Sequence, residues 1–316
     1  MLFKRQDIDD EKWNAFVESS PQGYIYHYTW YLDIVCPNWE AVIVKNSQEW
    51  LAIMPLNIKK KWSISYILQP PLTQFLGILF KPQDSKMEKT LSDKKDWVNE
   101  IILSIPKKIK LFNYNFSPYF DYALPFYWHK HQLFTRYNYE LDLSAGKDKL
   151  LENLHTKTRY QIKKAEKENN VVIEVSSDIG SFINEHKKTG RTFLNINILS
   201  LITALYEKAY ISDKSTLLIA KSQDKILTGA VFMKYKKSWI NLYGSLKTHQ
   251  ESQKRPTEIL LWKAIEMAIE SGAKRFDFEG SMIEGVERFY RKFGGKPVPY
   301  LNIQKNHIPL LKWIKK

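Results

Sequence analysis

The sequence predicts a two-domain protein of mixed α/β class. Three observations lead there. The chain has 316 residues, and a domain usually holds ~100–200, so two domains fit naturally. A series of strand-like segments in the first half recurs about half a chain length later. Helical and strand patterns alternate in both halves, as they do where mixed sheets are packed against helices.

In the first half, Ala41–Lys45 and Trp50–Lys59 read as strands, and the basic turn Lys59-Lys60-Lys61 follows. Trp62–Ile67 then alternates apolar and polar residues, the period of a half-buried strand. Lys86–Ser104 has helical spacing and stops before Pro106, and Lys110–Phe116 reads as a further strand. The same series returns as Leu218–Gln223, Ile226–Lys234, the turn Lys236-Lys237 and Trp239–Tyr243. Lys45 and Lys221 are 176 residues apart and Trp62 and Trp239 are 177 apart, which points to an internal duplication. Residues 1–143 are expected to form the first domain and 144–316 the second.

The second half opens with a long charged helix, Lys147–Asn169, with Leu150, Leu151, Leu154 and Thr158 on one face. A strand at Val171–Val175 and helices at Ile179–Phe193 and Ile198–Tyr210 follow, separated near Asn195. After the meander, Pro256 suits a first helical turn. Ile259, Trp262, Ile265, Ala268 and Ile269 recur at three- and four-residue spacing, and Gly272 is placed to end that helix in a left-handed conformation. Arg275–Glu279 reads as a strand with phenylalanines on one face and carboxylates on the other. The second half therefore reads strand, two helices, three strands, helix, strand, helix, strand.

Composition excludes several classes. With 44% hydrophobic and 14% aromatic residues the chain is not disordered. Cys36 is the only cysteine, which excludes a disulfide scaffold and a zinc site of several thiolates. The seven histidines show no metal-ligand spacing, so no metal is expected, and His129 and His131 beside Trp128 are expected at the surface or in a loop. There is no nucleophile elbow, P-loop or dinucleotide fingerprint. Met1–Asp10 carries charges where a signal peptide needs an apolar core, and Trp62–Phe80 is broken by Pro70-Pro71. The expectation is a soluble, cytoplasmic protein with no transmembrane segment.

The net charge is +14. A field of that sign attracts nucleic acid, nucleotide phosphates or an anionic membrane face without choosing among them. Eight Lys or Arg and no acid lie between Arg288 and Lys316, so the excess sits mainly in the second half. The tail His307–Lys316 mixes apolar residues with lysines; it either docks on its own domain or touches an anionic membrane.

Three motifs carry a resemblance. Leu141-Asp142-Leu143 precedes Lys157-Thr158-Arg159-Tyr160-Gln161-Ile162-Lys163-Lys164-Ala165; Gly272 precedes Phe276-Asp277-Phe278-Glu279-Gly280-Ser281; and Arg288-Phe289-Tyr290-Arg291-Lys292-Phe293-Gly294 follows. In this order they resemble the FemAB-type branch of the GNAT acyltransferases, and Tyr26-His27-Tyr28-Thr29-Trp30 is a softer match. The resemblance implies two tandem GNAT-like domains and amide-bond formation, from an aminoacyl-tRNA or acyl-CoA donor to an amine such as that of a cell-wall (peptidoglycan) precursor. No permanently bound cofactor is implied. Two features depart from the family pattern. The segment Leu246–Lys254, where many GNAT enzymes hold pyrophosphate on a glycine-bearing loop, has no glycine, and Tyr290 stands where the family has a lysine.

The candidate catalytic residues are Glu279, Asp277 and Tyr243. Either carboxylate is suited to accept a proton from an attacking amine, while Asp277 alternatively pairs with a basic neighbour or caps a helix, and Tyr243 alternatively packs. Arg159, Lys163 and Lys164 suit a phosphate-bearing substrate or tRNA, or else form a solvated helix face. Arg288, Arg291 and Lys292 leave the apolar stripe of Val286, Phe289, Tyr290 and Phe293 and are the further ligand candidates, with Tyr290 itself at the substituted position. A second reading is a non-catalytic tRNA- or nucleic-acid-binding protein that keeps the fold.

Overall fold

The computed structural model describes residues 1–168, 171–188, 196–223, 225–244, 255–280 and 282–308. Its contacts divide the chain into two compact units. One is Met1–Arg136 with the chain from Pro299 onward, and the other is Tyr137–Val298.

The first unit runs β1 (Leu2–Lys4), α1 (Asp10–Ser19), α2 (Thr29–Val35), β2 (Glu40–Lys45), β3 (Trp50–Leu56), β4 (Ile58–Lys61), β5 (Ile64–Leu68), β6 (Leu79–Phe80), α3 (Met87–Ser104), β7 (Ile109–Asn115) and α4 (Leu124–Trp128). The strand β8 (Gln132–Asp142) leads into the second unit. There follow α5 (Gly146–Asn153), α6 (Thr156–Glu168), β9 (Val172–Ser176), α7 (Ile179–Lys188), α8 (Ile196–Tyr210), β10 (Ser215–Ser222), β11 (Lys225–Tyr235), β12 (Ser238–Gly244), α9 (Pro256–Glu270), β13 (Arg275–Asp277), α10 (Glu284–Arg291) and β14 (Lys296–Asn306). From β9 onward the order is the one read from the sequence.

The two halves repeat in detail. The β2–β3 and β10–β11 hairpins both bulge at the lysine that the sequence repeat aligns, between Val44 and Lys45 and between Ala220 and Lys221. In each unit the last meander strand runs parallel to the strand beyond the following helix: β5 beside β7 after α3, and β12 beside β13 after α9. The outer partner of that strand comes from the other half of the sequence. Asn302–Asn306 of β14 pairs with β7, and Glu140–Asp142 of β8 pairs with β13. Their ladder hydrogen bonds assign these strands, so the expected division at residue 143 moves back to Arg136 and the chain from Pro299 returns to the first unit.

Two expected elements are broken. The run Trp50–Lys59 divides at Asn57, whose backbone N–H donates to the Tyr114 hydroxyl (2.7 Å) and whose side-chain amide donates to the Leu68 carbonyl. The strand β4 then pairs with β5 alone. The helix Lys147–Asn169 divides at Leu154, which is extended (φ −62°, ψ 150°) and buried, and the next N–H, that of His155, goes to the Lys292 carbonyl. An extended residue held on one side by burial and followed by a non-helical hydrogen bond interrupts the i→i−4 ladder.

The core of the second unit is built on Phe232, Trp239, Phe276, Phe278 and Phe293, with Trp262 and Ile265 from α9. Each such buried side chain contributes about 1.5–3 kcal/mol relative to exposure. Gly272 (φ +76°) closes α9 as its sequence position predicts. Gly229 lets the Phe182 ring of α7 approach β11: a β-carbon there would lie 2.5 Å from that ring. The glycine-free segment Leu246–Lys254, Asn195, Ser281 and the tail from residue 309 lie outside the described residues. Among the described residues no helix is long and apolar enough to cross a membrane.

Candidate functional site

The strands β12 and β13 pair only over Ser238–Ile240 and Arg275–Asp277; beyond Ile240, β12 continues to Gly244 against β11. At this end of the second unit lies a cavity of about 410 Å³. Its walls are Thr228 and Ala230 of β11, Asn241 of β12, Leu260 and Leu261 of α9, and Val286, Phe289 and Tyr290 of α10. The volume is within the ~300–1,000 Å³ of small-molecule sites, and so is the character: mostly apolar walls with a few placed polar groups. Thr228 Oγ1 and Asn241 Oδ1 are both buried in this wall without a hydrogen-bond partner among the described residues. Such atoms are costly unless something else satisfies them.

Tyr290 brings the cavity to a second feature. Its ring stacks on Phe278 (5.0 Å between centroids) and lies 6.0 Å from Tyr139. Burial, and then the charges of Glu279 and Asp277, push its phenol up, so it keeps its proton at neutral pH. A phenol held protonated beside a cavity is a hydrogen-bond donor.

Behind it lies a buried polar cluster. Asp277, 1% exposed, ends β13 and is the register partner of Glu140 in β8. Asn138, two residues before Glu140 and on the same face, donates its amide to Asp277 Oδ1 (3.0 Å) and Glu140 Oε1 (3.3 Å). Arg275 lies 3.4 Å from Glu140 Oε2. Burial and then the Asp277 charge push the Glu140 carboxyl up to about 8, and burial raises Asp277 as well. Two carboxyls this close retain a proton between them, and Arg275 balances the remaining negative charge.

Glu279 is not the same-face companion of Asp277 that the strand pattern predicts. The strand ends at Asp277, and Glu279 is left-handed (φ +56°), its N–H donated to Asp277 Oδ1 at 2.8 Å. That turn carries the Glu279 carboxylate off the strand's face, while Phe276 and Phe278 remain packed in the core.

The other sequence candidates fall in three places. The Tyr243 hydroxyl lies 3.1 Å from His186 Nε2 of α7, with Phe182 at its edge. Arg159, Lys163 and Lys164 line a groove of about 600 Å³ along α6 with Tyr160 and Lys167; Arg159 donates to the Glu152 carbonyl and Lys164 pairs with Glu168 at 3.5 Å. On α10 the apolar stripe, not its basic neighbours, reaches the cavity. Arg288 and Arg291 form exposed i,i+4 pairs with Glu284 and Glu287, and the Lys292 carbonyl receives the His155 N–H. Among the described residues no group of three or more His, Cys, Asp or Glu converges to hold a metal.

Sequence reasoning missed Asn138, Glu140, Thr228, Asn241 and His186. The first two sit in Asn138-Tyr139-Glu140, directly before the Leu141-Asp142-Leu143 motif, where polar residues alternate toward what proves the buried face. His131, expected at the surface or in a loop, lies in the loop between α4 and β8 but is buried there, and donates Nδ1–H to the Phe126 carbonyl.

No protein-family model matches the chain, and no curated protein matches it. Solved structures do. The chain is similar to FemX, at 15% identity and a TM-score of 0.70 over 98% of this chain and 99% of that one. It is similar to a tandem GNAT protein from the clavulanic acid biosynthesis pathway (8% identity, TM-score 0.60, 98% and 99% covered). It is similar too to the C-terminal domain of a putative lysylphosphatidylglycerol synthetase from Agrobacterium fabrum (13%, 0.52, 94% and 91%). The chain thus has the FemAB-like fold of two tandem GNAT-like domains that its motifs imply.

Proposed function

We propose that this protein is an N-acyl or aminoacyl transferase that joins an activated acyl group to an amine on a cell-envelope component. The observation that carries the reading is the cavity of the second unit. It is apolar, holds two unsatisfied polar atoms at Thr228 and Asn241, and has the protonated Tyr290 phenol in its wall. Thr228 and Asn241 suit the amide or hydroxyl groups of an elongated donor. The names FemX and lysylphosphatidylglycerol synthetase support an aminoacyl donor and an envelope acceptor.

In the reaction the amine nitrogen attacks the donor's ester or thioester carbonyl, a C–N bond forms, and the C–O or C–S bond breaks. Glu279 accepts the proton that the amine loses. That proton then passes to the departing oxygen or sulfur, to which the Tyr290 hydroxyl donates a hydrogen bond. Most of the acceleration comes from holding amine and carbonyl together. The basic face of α6, Arg159, Lys163 and Lys164, holds the phosphates of a tRNA donor or of a nucleotide-linked acceptor.

That basic groove also favours a second reading, a tRNA-binding protein without transfer. Calorimetric titration with acetyl-CoA, free CoA, and charged and uncharged tRNA tests the proposal. Saturable binding of acetyl-CoA, or tighter binding of charged than uncharged tRNA, supports a transferase. Equal, steeply salt-dependent binding of both tRNAs without acetyl-CoA binding supports the second reading.

A further inference from the structure

The first unit has a cavity of its own that plays no part in the proposed reaction. It measures about 270 Å³ and opens where the end of α3, the start of β7 and the end of β14 meet. Ile102, Ile105, Ile109 and Phe112 form its apolar walls. Around them stand five basic side chains, Lys107, Lys305, His129, His131 and His307, and among the described residues no aspartate or glutamate lines it.

The hydrogen bonds fix how these groups are presented. A carbonyl oxygen only accepts, so the 3.2 Å contact of His131 Nδ1 with the Phe126 carbonyl puts the proton on Nδ1 and leaves Nε2 as the ring's other polar atom. His129 uses Nε2 on the Asn99 amide oxygen at 3.1 Å, which leaves its Nδ1. Lys305 donates to the His129 carbonyl at 2.8 Å, and its ammonium is close enough to the His131 ring to act on it electrostatically. Burial and then the Lys305 charge push the His131 ring down to about 4. The positive charge at this apolar pocket is therefore that of Lys107 and Lys305, with no acidic side chain in the lining to balance it, and a bound anion relieves their repulsion.

We infer that this cavity binds a small organic anion, a carboxylate or phosphate carried on a short apolar or aromatic body, with the body against Phe112 and the charge between Lys107 and Lys305. The volume lies just below the ~300–1,000 Å³ of larger ligand pockets, which favours a small metabolite over a nucleotide. Two ammoniums without a carboxylate in the lining suit an anion, and no metal cluster forms there among the described residues.

The test is a titration of the full chain with phenyl phosphate, benzoate and inorganic phosphate, followed through the imidazole nitrogen resonances. At least one aromatic anion is expected to shift the His129, His131 and His307 signals saturably, and to bind more tightly than inorganic phosphate. Lys107→Glu, at an exposed position that leaves folding intact, is expected to weaken binding by about tenfold or more, and Lys305→Met likewise. Lys95→Gln, elsewhere on α3, is expected to leave it unchanged. No saturable shift up to about 10 mM, weaker than a millimolar ligand, overturns the inference. Equal affinity for bare phosphate, or indifference to Lys107→Glu, overturns it as well.

Discussion

Glu140 and Asp277 face each other across the antiparallel β8–β13 pairing, and one amide, that of Asn138, donates to both carboxyls. The pair is buried behind Tyr290, so the cavity wall rests on a cluster that holds a proton at neutral pH.

That arrangement sets a pH dependence. The Glu140 carboxyl is raised from 4.5 to about 8, so the folded chain keeps a proton that the unfolded chain releases. Where the folded state binds more protons, stability falls as pH rises. Stability is therefore expected to decline between about pH 4.5 and pH 8 and then level off, by on the order of 2–4 kcal/mol. Glu140→Gln removes the second ionisation and should flatten the decline. Urea midpoints across that window measure both.

Tyr290→Phe keeps the ring stacked on Phe278 and deletes only the hydroxyl. Stability should change by less than about 1 kcal/mol, while turnover falls by about 10²-fold, the low end for loss of one hydrogen-bond donor to developing charge. Glu279→Gln should likewise lower kcat more than it raises KM. Steady-state kinetics reads both, and unchanged turnover removes the residue from the mechanism.

Gly229→Ala tests the packing that places α7 against β11. The new methyl meets the Phe182 ring, and overpacking of this kind costs about 1–3 kcal/mol. Phe182→Leu in the same chain should recover part of the loss, measured by denaturant unfolding.

Neutralising Arg159, Lys163 and Lys164 to glutamine should reduce the salt dependence of tRNA affinity. Each phosphate that no longer meets a cation lowers the slope of log affinity against log salt by about 0.7–0.9. Filter binding at several salt concentrations gives the slope.

Much of this architecture is legible in the sequence. Local periodicity locates α9, its Pro256 start and its Gly272 end, because these are properties of one helix and its caps. The repeat aligns Lys45 with Lys221, where both hairpins bulge. The exchange of β8 and β14 between the halves is hidden, because strand partners 130 or more residues apart leave no local periodicity. The left-handed Glu279 is hidden too: alternation continues through Arg275–Glu279 although the ladder stops at Asp277. On α10 charge alone points to the basic residues, whereas the apolar stripe, Val286, Phe289 and Tyr290, lines the cavity. A carboxylate such as Glu140 reads as a surface residue until its partner across the sheet is known.

The most direct measurement is single-turnover transfer, with acetyl-CoA and a mixed pool of charged tRNAs as donors and cell-envelope precursors as acceptors, the amide product being detected by mass spectrometry. The same assay is run on Gly285→Phe, which has open space around its β-carbon at the cavity wall. An amide is expected from at least one donor, and its loss in Gly285→Phe with folding intact. No amide from either donor, or a product undiminished by filling the cavity, would contradict the proposed function.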